Sequence, residues 1–199
     1  MKVLANFVAG LLALVVSQLS AAPSPYESVQ TSTEQLLEKL VEVQPIYKRD
    51  KDKFFREVDS SLAPFIDFKG FSRGVMAKYY RRASDQQKAR FAEVFRNSLI
   101  KTYAKALVEF DNPQVIVKQD NKPQKDPRKA RVSLEVYGKD GSAYPVEYSL
   151  VLVNDRWKLR NLVIDGINIG LQFRSQFTAY MQQYKNDIDK VIDNWSVDA

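Results

Sequence analysis

The chain has 199 residues, 45% hydrophobic and 12% aromatic, with 30 Lys and Arg against 24 Asp and Glu and with neither histidine nor cysteine. The two absences exclude a Ser-His-Asp triad, a thiol nucleophile, disulfides and a zinc site of nitrogen and sulfur ligands, leaving carboxylates, hydroxyls, Lys and Arg for any chemistry. A net charge of +6 favours anionic surroundings without naming a partner, and the length suits one domain that buries most of its apolar surface.

Residues 1–22 read Met-Lys, an apolar stretch from Val3 to Val16, then Ser17-Gln18-Leu19-Ser20-Ala21-Ala22. That is the pattern of a secretory signal peptide, with cleavage expected after Ala22 and a single domain over residues 23–199. The competing reading, a membrane anchor, needs roughly 20 apolar residues, and Asn6 and Gln18 bracket too few. No cysteine is present to carry a lipid anchor. An exported domain of this size that relies on its core rather than on disulfides fits a bacterial periplasm.

Val29, Thr33, Leu36, Leu37, Leu40 and Val41 recur at three- and four-residue steps and predict an amphipathic helix ending before Pro45. A shorter one carries Phe54, Phe55, Val58 and Leu62 and stops at Pro64. Phe65, Ile66, Phe68 and Phe71 form a short apolar stretch, and Ser72 to Arg82 can make another short helix. Ser84-Asp85-Gln86-Gln87 is a capping box opening the longest helix, whose stripe is Phe91, Phe95, Leu99, Tyr103, Ala106 and Phe110 and whose stop is Asn112-Pro113.

The period then changes to two. Val115 and Val117 make a short strand, Val132, Leu134 and Val136 a second, and Tyr144, Val146, Tyr148, Leu150 and Leu152 a third after the turn Lys139-Asp140-Gly141. Asn154-Asp155 turns into Trp157 to Ile164, and Leu171 to Trp195 reads as helix again. The expected class is α+β, a curved antiparallel sheet of about four strands wrapped by N-terminal and C-terminal helices.

Four constellations could carry function. Asp67, Glu147 and Asp165 lie near apolar residues and could serve as an acid/base pair, although carboxylates there more often cap helices or pair with Arg. The loop Lys118 to Arg131 is basic but has no interleaved aromatics, so no nucleic-acid partner is expected; a solvated loop or an acidic or anionic lipid partner remains. No Asp-x-Asp-x-Asp-Gly run supports calcium, and no metal is expected. Ten aromatic residues between Phe54 and Tyr103 are either core or, with an apolar sheet face, the wall of a cavity; composition does not separate the two.

The pieces Phe65-Ile66-Asp67-Phe68, Phe71-Ser72-Arg73, Lys78-Tyr79-Tyr80-Arg81-Arg82-Ala83-Ser84, Gln87-Lys88-Ala89-Arg90-Phe91 and Thr102-Tyr103-Ala104-Lys105-Ala106-Leu107 stand in an order and spacing that resembles the MlaC family, also called toluene-tolerance Ttg2 proteins. The likeness continues through Val146-Glu147-Tyr148-Ser149-Leu150, Trp157-Lys158-Leu159, Ile164-Asp165-Gly166-Ile167 and Phe173-Arg174-Ser175-Gln176-Phe177. It departs at Tyr80, Asn161, Asp165 and Asn168, where Trp, Asp, Glu and Ser are usual.

The resemblance implies a monomeric periplasmic carrier of diacyl phospholipid, with the lipid as cargo and no cofactor. It implies exchange with an inner-membrane ABC lipid transporter complex and an outer-membrane lipoprotein-porin complex, which maintains outer-membrane lipid asymmetry. With periodicity, it nominates Phe68, Phe71, Val75, Tyr79, Phe91, Phe95, Leu99 and Tyr103 from the helices as cavity lining. From the sheet it nominates Val132, Leu134, Val146, Tyr148, Leu150 and Val163, and at the mouth Arg73, Arg81 and Arg174 for the headgroup. The competing classes are a periplasmic isomerase or hydrolase of a cone-shaped α+β fold, and a protein-binding adaptor with a filled core.

Overall fold

Ser24 opens the first helix: its Oγ accepts from the Glu27 amide at 3.2 Å while the Glu27 carboxylate accepts from the Ser24 amide at 2.8 Å. The computed structural model describes residues 23–109, 114–119, 125–138 and 140–196, with side chains except at 106–109. The expected signal peptide, the Asn112-Pro113 stop and Lys139 lie outside the described residues, as do the side chains of Ala106 and Phe110.

Helix α1 (Pro25–Tyr47) runs past Pro45, where the sequence predicts it to end. The missing Pro45 N–H releases only the carbonyl four residues back, at Val41, which is 66% exposed and so faces water. Beyond it, packing holds the last turn: the Tyr47 ring meets Phe54 edge-on at 5.0 Å on α2 (Lys51–Leu62).

Asp67 caps α3 (Phe68–Met76), accepting from the Gly70 amide at 2.9 Å. A 3₁₀ turn follows at Ala77–Arg81, so the helix expected over Ser72 to Arg82 starts earlier and is split where Ala77 adopts φ 47°. The Ser84 capping box opens α4 (Asp85–Glu109), with reciprocal bonds to Gln87 of 2.9 and 3.1 Å.

Five antiparallel strands follow in sequence order: β1 (Gln114–Val117), β2 (Lys129–Tyr137), β3 (Ala143–Val153), β4 (Arg156–Ile164) and β5 (Ile167–Asn168). Asn154 and Asp155, with φ of 48° and 56°, form the two-residue β3–β4 hairpin turn. Asp165 and Gly166, with φ of 47° and 79°, make a second such turn, and the two-residue β5 it creates goes beyond the four strands expected. Helices α5 (Ile169–Gln183) and α6 (Ile188–Asp193) are capped by Asn168 and Asp187.

Apolar side chains collect in two clusters. One lies among the helices, from Leu40 and Val43 of α1 through Phe91 and Phe95 to Trp195. The other covers one sheet face: Ala130, Val132, Leu134, Val146, Leu150 and Leu159 with Val29 of α1. Among the described residues no helix is long and apolar enough to cross a membrane.

Candidate functional site

Strand register sorts the sheet into two faces. Val132 pairs with Tyr148 and Leu134 with Val146; across β3, Tyr148 pairs with Leu162 and Val146 with Ile164. Directly opposed residues point the same way, so these share one face, and no charged residue occupies a paired position on it. The other face carries Ser133, Glu135, Glu147 and Ser149, with ion pairs Lys118–Glu135 at 2.8 Å and Arg131–Glu147 at 3.5 Å.

A β-bulge decides which β4 residues reach the apolar face. Ser149 opposes Asn161 and Leu150 opposes Leu159, so Arg160 between them has no opposite number. The extra residue inverts the alternation: Trp157 and Leu159 face the cluster, then Leu162 and Ile164. Val163 instead pairs with Glu147 and Asn168 on the outer face, apart from the other five nominated sheet residues. Sequence alternation from Trp157 missed Leu162 and Ile164 for this reason.

The bulge also joins the layers. Arg160 donates to the Asp67 carboxylate at the head of α3, its Nε at 2.8 Å. Asn161 donates to the Asn168 side chain at 3.1 Å and accepts from the Gly170 amide at 2.9 Å, holding the head of α5. A Cβ at Gly70 would collide with the ends of Asp67 and Arg160, and one at Gly170 with the end of Asn161, so a side chain at either position would have to displace these hydrogen-bonded groups. Asn161 and Asn168, two positions at which the resemblance leads one to expect other residues, are thus bonded to each other.

Helix α1 crosses the apolar face and links the clusters. Val29 packs in the sheet cluster, Leu40 and Val43 in the helical one. The intervening helix, about 16 Å long at 1.5 Å per residue, has no buried residue. Its Leu36 and Leu37 are half-buried, as are Ile66, Leu162 and Ile164, which touch both clusters.

Tyr148 stands at the centre of this region, its ring 6.2 Å from Phe65. Burial pushes its phenol pKa up, and its hydroxyl has no hydrogen-bond partner among the described residues. The hydroxyl is not sealed in either, since among those residues Trp195 Nε1 is the buried side-chain polar atom without a partner. This part of the sheet face, with Tyr148 half-buried and Phe65 and Ile66 beside it, is the candidate site for an apolar slot.

The helical nominees sit differently. Phe68, Phe71, Val75, Tyr79, Phe91, Phe95 and Leu99 are buried in the helical cluster, with Tyr103 half-buried beside it and its phenol pushed up by burial. Phe91 and Phe95 are 0% exposed: they stack at 5.8 Å and meet Phe71, Phe173, Phe177 and Trp195 edge-on. Their whole surface is covered by protein, which makes these two packing rather than wall. A helix stripe has the same composition in either role, so sequence could not sort them.

Arg73 lies 5.3 Å over the Tyr80 ring, and Arg174 donates to the Gly74 carbonyl at 3.0 Å. Arg81 is exposed on the 3₁₀ turn, and none of the three belongs to the sheet face. The carboxylates do not converge: Asp67 holds Arg160, Glu147 faces Arg131 on the outer face, and Asp165 occupies an exposed turn. In the basic loop, Lys129 and Arg128 reach Asp126 at 3.3 and 3.8 Å, which dilutes its charge. Among the described residues no cluster of three or more metal-ligating side chains exists.

The MlaC protein family model matches residues 30–197. The chain belongs to the MlaC family. It is 39% identical over 177 residues to the toluene tolerance protein ttg2D of Pseudomonas putida, a match covering 88% of this chain and 81% of that one. A second relative, the intermembrane phospholipid transport system binding protein MlaC of Haemophilus influenzae, is 24% identical over 54% of this chain and half of its own length. The fold matches that of a phospholipid-binding protein from Ralstonia solanacearum solved with a phospholipid, with a TM-score of 0.77 and 21% identity over 86% of this chain and 94% of that one.

Proposed function

We propose that this MlaC-family chain is a soluble periplasmic carrier that encloses the acyl chains of a diacyl phospholipid in the slot centred on Tyr148. The observation that carries the reading is a sheet face with no charged residue at a paired position, on which Tyr148, Leu162 and Ile164 are apolar yet only half-buried. A filled-core adaptor would bury Leu36, Leu37, Leu162 and Ile164 as completely as it buries Phe95. An acid/base enzyme would bring Asp67, Glu147 or Asp165 to the same space.

Removing about 30 methylenes from water is favourable by roughly 24 kcal/mol, at about 0.8 each, so loss of cargo into water is negligible. Against a bilayer the same transfer is close to neutral, because both surroundings are apolar. Such a carrier exchanges lipid only in contact with a membrane partner. An inner-membrane ABC transporter complex and an outer-membrane lipoprotein-porin complex fit that requirement, and shuttling between them would maintain outer-membrane lipid asymmetry.

Native mass spectrometry of freshly purified protein, followed by solvent extraction, tests this. Bound diacyl phospholipid is expected. A bare protein mass that persists after incubation with phospholipid vesicles would refute the carrier.

A further inference from the structure

The apolar face carries a polar group, the Tyr148 hydroxyl, whose position suggests more than a general affinity for hydrocarbon. We propose that the Tyr148 hydroxyl donates a hydrogen bond to an ester carbonyl of the bound diacyl lipid, so that the site recognises ester-linked chains; this rests on the carrier reading above. Tyr148 lies at the middle of the apolar face, opposite Val132 on one side and Leu162 on the other. Its hydroxyl keeps some accessible surface and bonds to no described protein acceptor or donor. Leaving a hydroxyl unpaired in apolar surroundings costs free energy, and so does taking an ester carbonyl out of the hydrated bilayer interface. One bond between them removes both penalties.

The acceptor is uncharged. No charged residue holds a paired position on this face, Arg160 is engaged by Asp67, and Lys118 and Arg131 are paired on the opposite face. A phosphate has no counter-charge here, whereas an ester oxygen needs only one neutral donor. Desolvation of the phenol keeps its proton in place across physiological pH, so the group remains a donor.

Delipidated protein is incubated with vesicles of phosphatidylglycerol and phosphatidylethanolamine in which half of the phosphatidylethanolamine carries ether-linked and half ester-linked chains. Native mass spectrometry then resolves the two bound forms by mass. Wild type is expected to enrich the ester form by about fivefold over the vesicle ratio, the effect of one neutral hydrogen bond, and Tyr148→Phe to return it to that ratio with an unchanged thermal melt. Equal uptake of both forms by wild type would overturn the inference, and needs no variant to fold. So would enrichment that survives in Tyr148→Phe. Uptake of neither form by wild type would overturn the carrier reading itself, an outcome distinct from equal uptake.

Discussion

The β4 bulge makes a prediction about two adjacent residues that ordinary alternation would reverse. Leu162 opposes Tyr148 on the apolar face, and Val163 opposes Glu147 on the outer one. If an acyl chain lies along the slot, Leu162→Lys removes its contact with about three methylenes, a loss of about 2.4 kcal/mol or roughly fiftyfold in lipid retention. The ammonium also has no partner on a face without charges. Val163→Lys places the same side chain across from Glu147, where an opposed charge pair contributes about 0.2–1 kcal/mol, so lipid retention should equal wild type. Both variants are loaded from vesicles, separated by gel filtration and assayed for bound phosphorus, with thermal melts showing that each is folded. Loss of lipid in Val163→Lys with retention in Leu162→Lys would refute the register argument and the location of the slot together.

Phe95→Ala should act on stability rather than on cargo. A fully enclosed aromatic side chain is lost from the helical cluster at a cost of about 3–5 kcal/mol, a drop of about 10 °C in melting temperature for a chain of this size; a shift under about 2 °C would mean that Phe95 is not core. The raised phenols of Tyr103 and Tyr148 keep their protons in the folded chain after the unfolded chain has released them. Their contribution to stability is therefore intact below about pH 10 and falls as pH rises beyond it. Replacing both with Phe should flatten the alkaline fall of melting temperature with pH, and an unchanged slope would count against their burial. Two glycines should respond with opposite signs: Gly74→Ala, helical and with open space around the new Cβ, should stabilise by about 0.5–1 kcal/mol, whereas Gly170→Ala, driven into Asn161, should destabilise by about 1–3 kcal/mol. Denaturant melts of the two variants check the signs.

Features set by neighbouring residues were legible in the sequence. The Ser84-Gln87 capping box requires only a hydroxyl and an amide three residues apart, and the Asn154-Asp155 turn requires only two residues that tolerate positive φ. The apolar faces of β2 and β3 follow the same logic, since strict alternation from Val132 to Val136 and from Val146 to Leu150 fixes them. Features set by distant partners were not legible. Pro45 marks a helix end by its own chemistry, and only the Tyr47 contact with Phe54 across the α1–α2 junction shows why the helix continues. Arg160 in the bulge pairs with Asp67, 93 residues away in the chain, and local alternation alone does not distinguish Val163 from Ile164 as a wall residue.

The same long-range pairing accounts for how the proposed slot would persist beside a densely packed core. A sheet face and a helical layer that are both apolar gain by closing on each other, at about 25 cal/mol for each Å² removed from water, so an unfilled space between them needs something that holds them apart. Arg160 and Asn161 do this as consecutive residues, fixing the heads of α3 and α5 to β4 through charged and amide hydrogen bonds whose geometry tolerates little compression. Glycines at 70 and 170 let those bonds form at close range. The helical cluster packs around the Phe91, Phe95 and Trp195 rings and meets the sheet face at half-buried Leu162 and Ile164. On the proposed reading, the apolar surface beside these polar joints is completed by hydrocarbon from a lipid rather than by the protein's own side chains.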